Sequence, residues 1–115
     1  MNHRNISEAI ALYIMSRSTD ELIQLTRYEI AEKFNLHQNY LSKRFRKDLD
    51  LTILRFIDQE KVVRARILMA NEGQITVDRL SALLGIAKPQ QFRTKFRKVF
   101  RTTPGKLMHW AKKKE

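Results

Sequence analysis

Two stretches of this chain repeat one another, and the repeat restricts the fold more than any other feature. Residues 31–47 read AEKFNLHQNYLSKRFRK and residues 81–98 read SALLGIAKPQQFRTKFRK. Asn35 in the first copy aligns with Gly85 in the second, and both residue types tolerate the left-handed conformation that ends helices. With one extra residue in the second turn, Leu41 aligns with Phe92 and Phe45 with Phe96. Each copy predicts a short helix, a tight turn and a second helix, which is the helix-turn-helix pattern.

The second helix of each copy is both apolar and strongly basic, and an amphipathic helix explains the mixture. In PQQFRTKFRK, residues 89–98, the phenylalanines fall on one side at helical spacing and are expected in the core. The opposite side carries Gln, Thr and Arg, and Asn or Gln can bond adenine while Arg or Lys can bond guanine. The expected base contacts are Asn39, Ser42, Lys43 and Arg46 in the first copy and Gln90, Gln91, Arg93, Thr94 and Arg97 in the second.

Other polar residues at these helices suit phosphates, which position a protein on DNA without reading its sequence. For His37 we expect an N-terminal cap or a phosphate neighbour, not a general base. The expected phosphate contacts are His37, Lys47, Lys88, Lys95, Lys98 and Arg101.

Apolar spacing and capping residues predict seven helices and an all-α fold. Only three glycines and two prolines occur, too few for the turns of an all-β protein. The helices are expected at about 7–15, 26–34, 37–47, 52–72 and 76–83, from Pro89, and from Thr103-Pro104 with Leu107 and Trp110 facing inward. Lysines 112–114 are expected to form a loose tail. The predicted organisation is a first subdomain at 1–51, a connector helix at 52–73 and a second subdomain at 74–115.

The predicted connector helix is close in length to one turn of DNA. A helix over residues 52–72 would be about 30 Å long, at about 1.5 Å per residue. One turn of DNA is about 34 Å, the separation at which dimeric helix-turn-helix proteins place their recognition helices. The spacing therefore favours two recognition helices in successive major grooves, from one chain on an asymmetric site.

Charge and composition point to a polyanionic partner. The 115 residues carry a formal net charge of +11, and residues 79–114 hold eleven Lys or Arg and no Asp or Glu. DNA, RNA or an anionic membrane would suit such a charge. The chain has no cysteine, no apolar run of membrane-spanning length and no signal-peptide pattern at its start. We therefore expect a soluble, intracellular protein that needs no metal or other cofactor.

Three segments resemble the DNA-binding domain of the AraC/XylS family of bacterial transcription regulators. They are IAEKFNLHQNYLSKRF at 30–45, KVVRARILM at 61–69 and LSALLGIAKPQQFRTKFRKVFRTTP at 80–104, and the similarity runs from about residue 6 to residue 111. The chain departs from the family at Asp50, where a glycine is common after the first recognition helix.

The resemblance implies a tandem, homeodomain-like fold of seven helices, with two helix-turn-helix subdomains joined by a long helix. It implies operator binding in the bacterial cytoplasm, usually with activation of transcription through RNA polymerase. Family members often carry a separate effector-binding or receiver domain, so this chain is expected to be either a stand-alone short member or an excised domain.

The charge and the helices suggest three other interpretations. An enzyme is disfavoured, because the sequence has no cysteine nucleophile, no phosphate-binding glycine loop and no histidines at metal-ligand spacing with carboxylates. A basic protein that coats nucleic acid without reading sequence would need the charge but not two matched helix-turn-helix copies. The third is a module whose basic helices bind an acidic protein.

Overall fold

The computed structural model describes residues 3–107 of the chain, and side chains from residue 6 onward. This part contains helices and turns and no strand, which confirms the all-α prediction. The helices are α1 (His3–Ser16), α2 (Thr19–Gln24), α3 (Arg27–Lys33), α4 (Gln38–Leu49), α5 (Ile53–Glu72), α6 (Val77–Leu83) and α7 (Pro89–Phe100). Residues 104–107 are also helical. Trp110 and lysines 112–114 lie outside the described residues.

The short helix α2 is absent from the sequence prediction, which leaves residues 16–25 outside any helix. Ser18 is its N-cap: the hydroxyl accepts a hydrogen bond of 3.2 Å from the Glu21 N–H. The Glu21 carboxylate in turn accepts one of 3.0 Å from the Ser18 N–H. This reciprocal capping box satisfies two N–H groups that a helix start leaves unpaired. The S-x-x-E spacing of residues 18–21 is the sequence signal that indicates this helix start.

The chain divides into two compact units, Met1–Asp58 and Gln59–Glu115. The boundary falls inside α5, so this helix contributes side chains to two separate cores. Ile53 and Ile57, near its beginning, pack in the first core. Val62, Ala65 and Met69, further along, pack in the second. The predicted subdivision at 1–51, 52–73 and 74–115 stays a prediction.

Phe45 is the largest fully buried side chain of the first core. Its ring meets Phe56 edge-on, with centroids 5.6 Å apart. Burying a side chain of this size stabilises the fold by about 1.5–3 kcal/mol. The core also holds Ile10, Ile14, Leu22, Ile30, Ala31, Leu41, Ile53 and Ile57. Apolar residues from α1, α3, α4 and α5 thus fix where the outer side of α4 points.

Phe92 and Phe96 have the same role in the second core, where both are fully buried. Their ring centroids are 5.7 Å apart, and Phe96 lies 4.8 Å from Phe100. The remaining buried members are Val62, Ala65, Met69, Ile75, Leu80, Leu84 and Ile86. The burial of Phe92 and Phe96, and of Phe45 at the aligned position of the first copy, confirms the expectation that the phenylalanines of the basic helices are core residues.

The two turns are alike down to individual hydrogen bonds. In the first, Asn35 has φ 54° and the Leu36 N–H donates to the Ala31 carbonyl over 2.8 Å. In the second, Gly85 has φ 67° and the Ile86 N–H donates to the Ser81 carbonyl over 2.9 Å. A left-handed residue followed by a long backward hydrogen bond is the Schellman ending of a helix. The helix-turn-helix repeat inferred from the sequence is therefore confirmed in the backbone.

The repeat extends beyond the turns to the helix that follows each basic helix. Thr52 caps α5 by accepting a hydrogen bond of 3.2 Å from the Arg55 N–H. Thr103 accepts one of the same length from the Lys106 N–H, at the beginning of the helical residues 104–107. Among the described residues, no helix is long and apolar enough to cross a membrane.

Candidate nucleic-acid interface

One side of helix α4 packs in the first core, and the opposite side is exposed. Leu41 and Phe45 are fully buried, whereas Asn39, Lys43 and Arg46 are exposed. Spacings of three and four residues put these three polar side chains on one surface of the helix. We call this surface, with Ser42 at its edge, the α4 face. It offers an amide, an ammonium and a guanidinium, which are groups that recognise base edges and phosphates.

The beginning of α4 is fixed by His37. Its Nδ1 accepts a hydrogen bond of 3.2 Å from the Asn39 N–H, so the imidazole is the N-cap of the helix. This confirms the capping role expected from the sequence, while a phosphate contact by the exposed ring stays a prediction. An open groove of about 480 Å³ lies here, lined by Tyr28, Glu32, His37 and Asn39 among others.

Helix α7 repeats this arrangement with a different set of groups. Gln90, Gln91, Arg93, Thr94 and Arg97 are all exposed, opposite the buried phenylalanines. Gln90, Arg93, Thr94 and Arg97 lie on one surface at steps of three and four, which we call the α7 face. The Thr94 hydroxyl donates to the Gln90 carbonyl over 3.0 Å, so only its acceptor capacity remains for a ligand.

The predicted phosphate contacts flank the two faces. Lys47, Lys88, Lys98 and Arg101 are exposed, whereas Lys95 is half-buried and already has an interaction within the protein. Arg101 is the left-handed C-cap of α7, with φ 60°, just as Asp50 is for α4. Two of these cations therefore lie at the ends of α7, at Lys88 and Arg101. No acidic residue occurs between Arg79 and Leu107 to offset them.

The structure brings a further cation to the α4 face that sequence reasoning missed. Arg27 is the first residue of α3, and its Nη1 donates a hydrogen bond of 3.2 Å to Ser42 Oγ. Ser42, predicted as a base contact, is half-buried and accepts this bond. Fifteen residues separate the two in sequence, so no helical periodicity could have joined them.

The α4 face is also anchored from α1. Ser7 is fully buried, and its hydroxyl donates a hydrogen bond of 2.7 Å to Asp48 Oδ2. Arg44 Nε lies 3.4 Å from the same carboxylate oxygen. These inner polar residues hold the last turn of α4 without belonging to its exposed surface. Among the described residues, no group of three or more His, Cys, Asp or Glu side chains is placed to hold a metal ion.

Known proteins are similar to this chain in sequence and in fold. A helix-turn-helix domain family of the AraC/XylS type matches residues 30–109. The Msm operon regulatory protein of Streptococcus mutans serotype c (strain ATCC 700610 / UA159) is 32% identical over 79 residues, which are 69% of this chain. The chain spans only 28% of the length of that relative.

Two solved structures are similar in fold at low sequence identity. One is the C-terminal domain of AraT, a response regulator from Geobacillus stearothermophilus, with a TM-score of 0.72 and 19% identity over 90% of this chain and 84% of that one. The other is the DNA-binding domain of AdpA, a global transcriptional factor, in complex with a target DNA. Its TM-score is 0.74 with 17% identity, over 91% of this chain and 95% of that one.

The duplicated turns, the two amphipathic basic helices and the match over most of the chain agree with one another. The chain therefore belongs to the AraC/XylS-type helix-turn-helix family, a family of DNA-binding transcription regulators.

Proposed function

We propose that this chain binds double-stranded DNA sequence-specifically, with the α4 face and the α7 face in successive major grooves. The observation that carries the proposal is the pair of exposed polar faces on duplicated helix-turn-helix motifs. Buried phenylalanines orient both faces outward, and each face combines an amide with cationic groups. In this proposal the nine predicted base contacts read the grooves, and the flanking cations bind phosphates.

The length of α5 supports the use of both faces. This helix has 20 residues, which at about 1.5 Å per residue is about 30 Å. Because one DNA turn is about 34 Å, a connector of this length suits an asymmetric site of two adjacent grooves. In this proposal the predicted connector, residues 52–73, joins two DNA-binding halves.

Selection of bound sites from a pool of random duplexes tests the proposal. A sequence reader should prefer its selected site over random DNA by at least about a thousandfold. A preference below about tenfold for every selected sequence would favour the coating protein instead. Absence of binding to any duplex would leave the acidic-protein module as the better interpretation.

Footprints on the selected site then test whether both faces engage. Arg46→Ala should remove protection from one half of the site and Arg97→Ala from the other. Arg17→Ala is the matched control, because it also removes one guanidinium, which lies between α1 and α2 and 4.4 Å from the centroid of the Tyr13 ring. Identical footprints for all three variants would refute the two-face arrangement.

We also infer that the regulator acts in the bacterial cytoplasm, activates transcription through RNA polymerase and works with an effector or receiver domain. The family resemblance supports this part. Transcription in vitro from a promoter carrying the selected site would test it. Repression, or no change, on addition of the chain would contradict activation by this part of the protein.

A further inference from the structure

The two faces differ in where one guanidinium comes from. The N-caps Thr26 and Thr76 align the first helices of the two motifs, so Arg27 of α3 corresponds to Val77 of α6. The aligned phenylalanines Phe45 and Phe96 pair the second helices, so Ser42 of α4 corresponds to Arg93 of α7. At the first-helix position the motifs have Arg27 and Val77, and at the second-helix position they have Ser42 and Arg93, so the arginine has changed helix.

The contacts and exposure of these residues agree with an arginine supplied by the first helix in one motif and by the second helix in the other. Arg27 is exposed and reaches Ser42 Oγ, over 3.2 Å, at the edge of the α4 face. Val77 is half-buried and packs against the second core, while Arg93 extends from α7 itself and is exposed. Each motif therefore has one arginine at this pair of corresponding positions, and a different helix supplies it in each motif.

We propose that Arg27 is a DNA-contacting residue of the first motif and that Ser42 positions it. This inference rests on the proposed function. The bond to Ser42 uses one N–H of the guanidinium, and an arginine side chain has further donors in a rigid fork. Those donors suit either O6 and N7 of guanine or the oxygens of a phosphate. Ser42 accepts this bond and thereby fixes the direction of the fork, while its own O–H is not used by the bond and can still donate to a base.

The test moves the arginine of the first motif from α3 to α4, where the second motif has its arginine on the corresponding helix. Arg27→Val should weaken binding to the selected site by about tenfold, within the range measured for one good arginine contact. The double variant Arg27→Val with Ser42→Arg recreates the second motif's arrangement on α4, and we expect it to regain most of the lost affinity. Circular dichroism melting of Arg27→Val should match the parent, because Arg27 is exposed, and melting of the double variant checks that the half-buried position 42 accepts an arginine.

A matched control separates position from charge. Arg27→Val with Gln24→Arg has the same net charge, but its new cation lies on α2 at an exposed position outside the α4 face. This variant should bind as weakly as Arg27→Val alone. Equal recovery by both double variants would overturn the proposal, since charge alone would then explain the effect. So would Arg27→Val binding within about twofold of the parent.

Two further measurements show whether Arg27 contacts a base or a phosphate. They also distinguish failure of this inference from failure of the proposed function. If the guanidinium reads guanine, Arg27→Val should lose discrimination at one base pair of the site; if it binds phosphate, affinity should fall equally on all single-base variants. If no selected site exists, the proposed function fails. Arg27 can then still be judged on random duplex, where an unchanged salt slope for Arg27→Val would end this proposal as well.

Discussion

The Ser7 hydroxyl lies 2.7 Å from Asp48 Oδ2, and this hydrogen bond ties α1 to the last turn of α4. Ser7 is fully buried and the Asp48 side chain is only 10% exposed. A carboxylate in such surroundings needs its hydrogen-bond donors, because burial makes an unpaired charge costly. The arrangement of the α4 face therefore depends on a serine that lies far from it in the sequence.

Ser7→Ala should lower the free energy of unfolding by about 1–3 kcal/mol, because it leaves the Asp48 carboxylate without this donor. Urea denaturation followed by circular dichroism would measure the change. Ser16→Ala is the control: that exposed hydroxyl donates to the Tyr13 carbonyl within α1, and its loss should cost less than about 0.5 kcal/mol. Equal effects for the two variants would contradict the role given to the buried pair.

Asp50→Gly should stabilise the protein by about 0.5–1 kcal/mol. Asp50 is the C-cap of α4 and has φ 60°, a conformation that a residue with a Cβ adopts at a cost and glycine adopts freely. Asp50→Ala removes the same charge but keeps the Cβ, so it should not stabilise. Thermal unfolding of both variants would compare them, and an alanine variant as stable as the glycine variant would argue against backbone strain as the cause.

The capping box at α2 predicts that its contribution to stability depends on pH. The hydrogen bond from the Ser18 N–H, then that from its hydroxyl, lowers the pKa of Glu21 from its ordinary value of 4.5. Because the folded pKa is the lower one, the stabilisation is present above pH 4.5 and is lost as the pH falls through the folded value. A carboxyl titration by NMR should show the lowered pKa, and Ser18→Ala should return it part of the way toward 4.5, because alanine removes the hydroxyl but keeps the N–H. A pKa of Glu21 that is unchanged by Ser18→Ala would show that the Ser18 hydroxyl does not contribute to the shift.

Lys47→Ala should reduce the slope of log affinity against log salt by about 0.9, the value for one phosphate contact. Lys47 is exposed at the end of α4 beside the proposed interface. Lys33→Ala removes the same charge from a position where Nζ lies 5.9 Å from the Tyr13 ring centroid, and should leave the slope unchanged. Binding measured from low to high salt would separate them. A Lys47→Ala slope equal to that of the parent would remove this residue from the phosphate set.

Predicting the fold from the sequence succeeded where local signals were strong. The apolar spacing of Leu41 with Phe45, and of Phe92 with Phe96, determined both which helices form and which sides they bury. The breakers Asn35 and Gly85 determined the turns, because few residues adopt a positive φ at low cost. Helix α2 was missed although its capping box is equally local, since its six residues offer too short an apolar pattern to stand out.

The sequence by itself determined that two amphipathic basic helices would be exposed on duplicated helix-turn-helix motifs, because helical period and charge are properties of neighbouring residues. Only the tertiary structure decided which distant residues serve those helices. Ser7 meets Asp48, and Arg27 meets Ser42, because the packing of α1 and α3 against α4 brings together side chains 41 and 15 residues apart. Such pairings follow from the shape of the packed core, which no local pattern in the chain records.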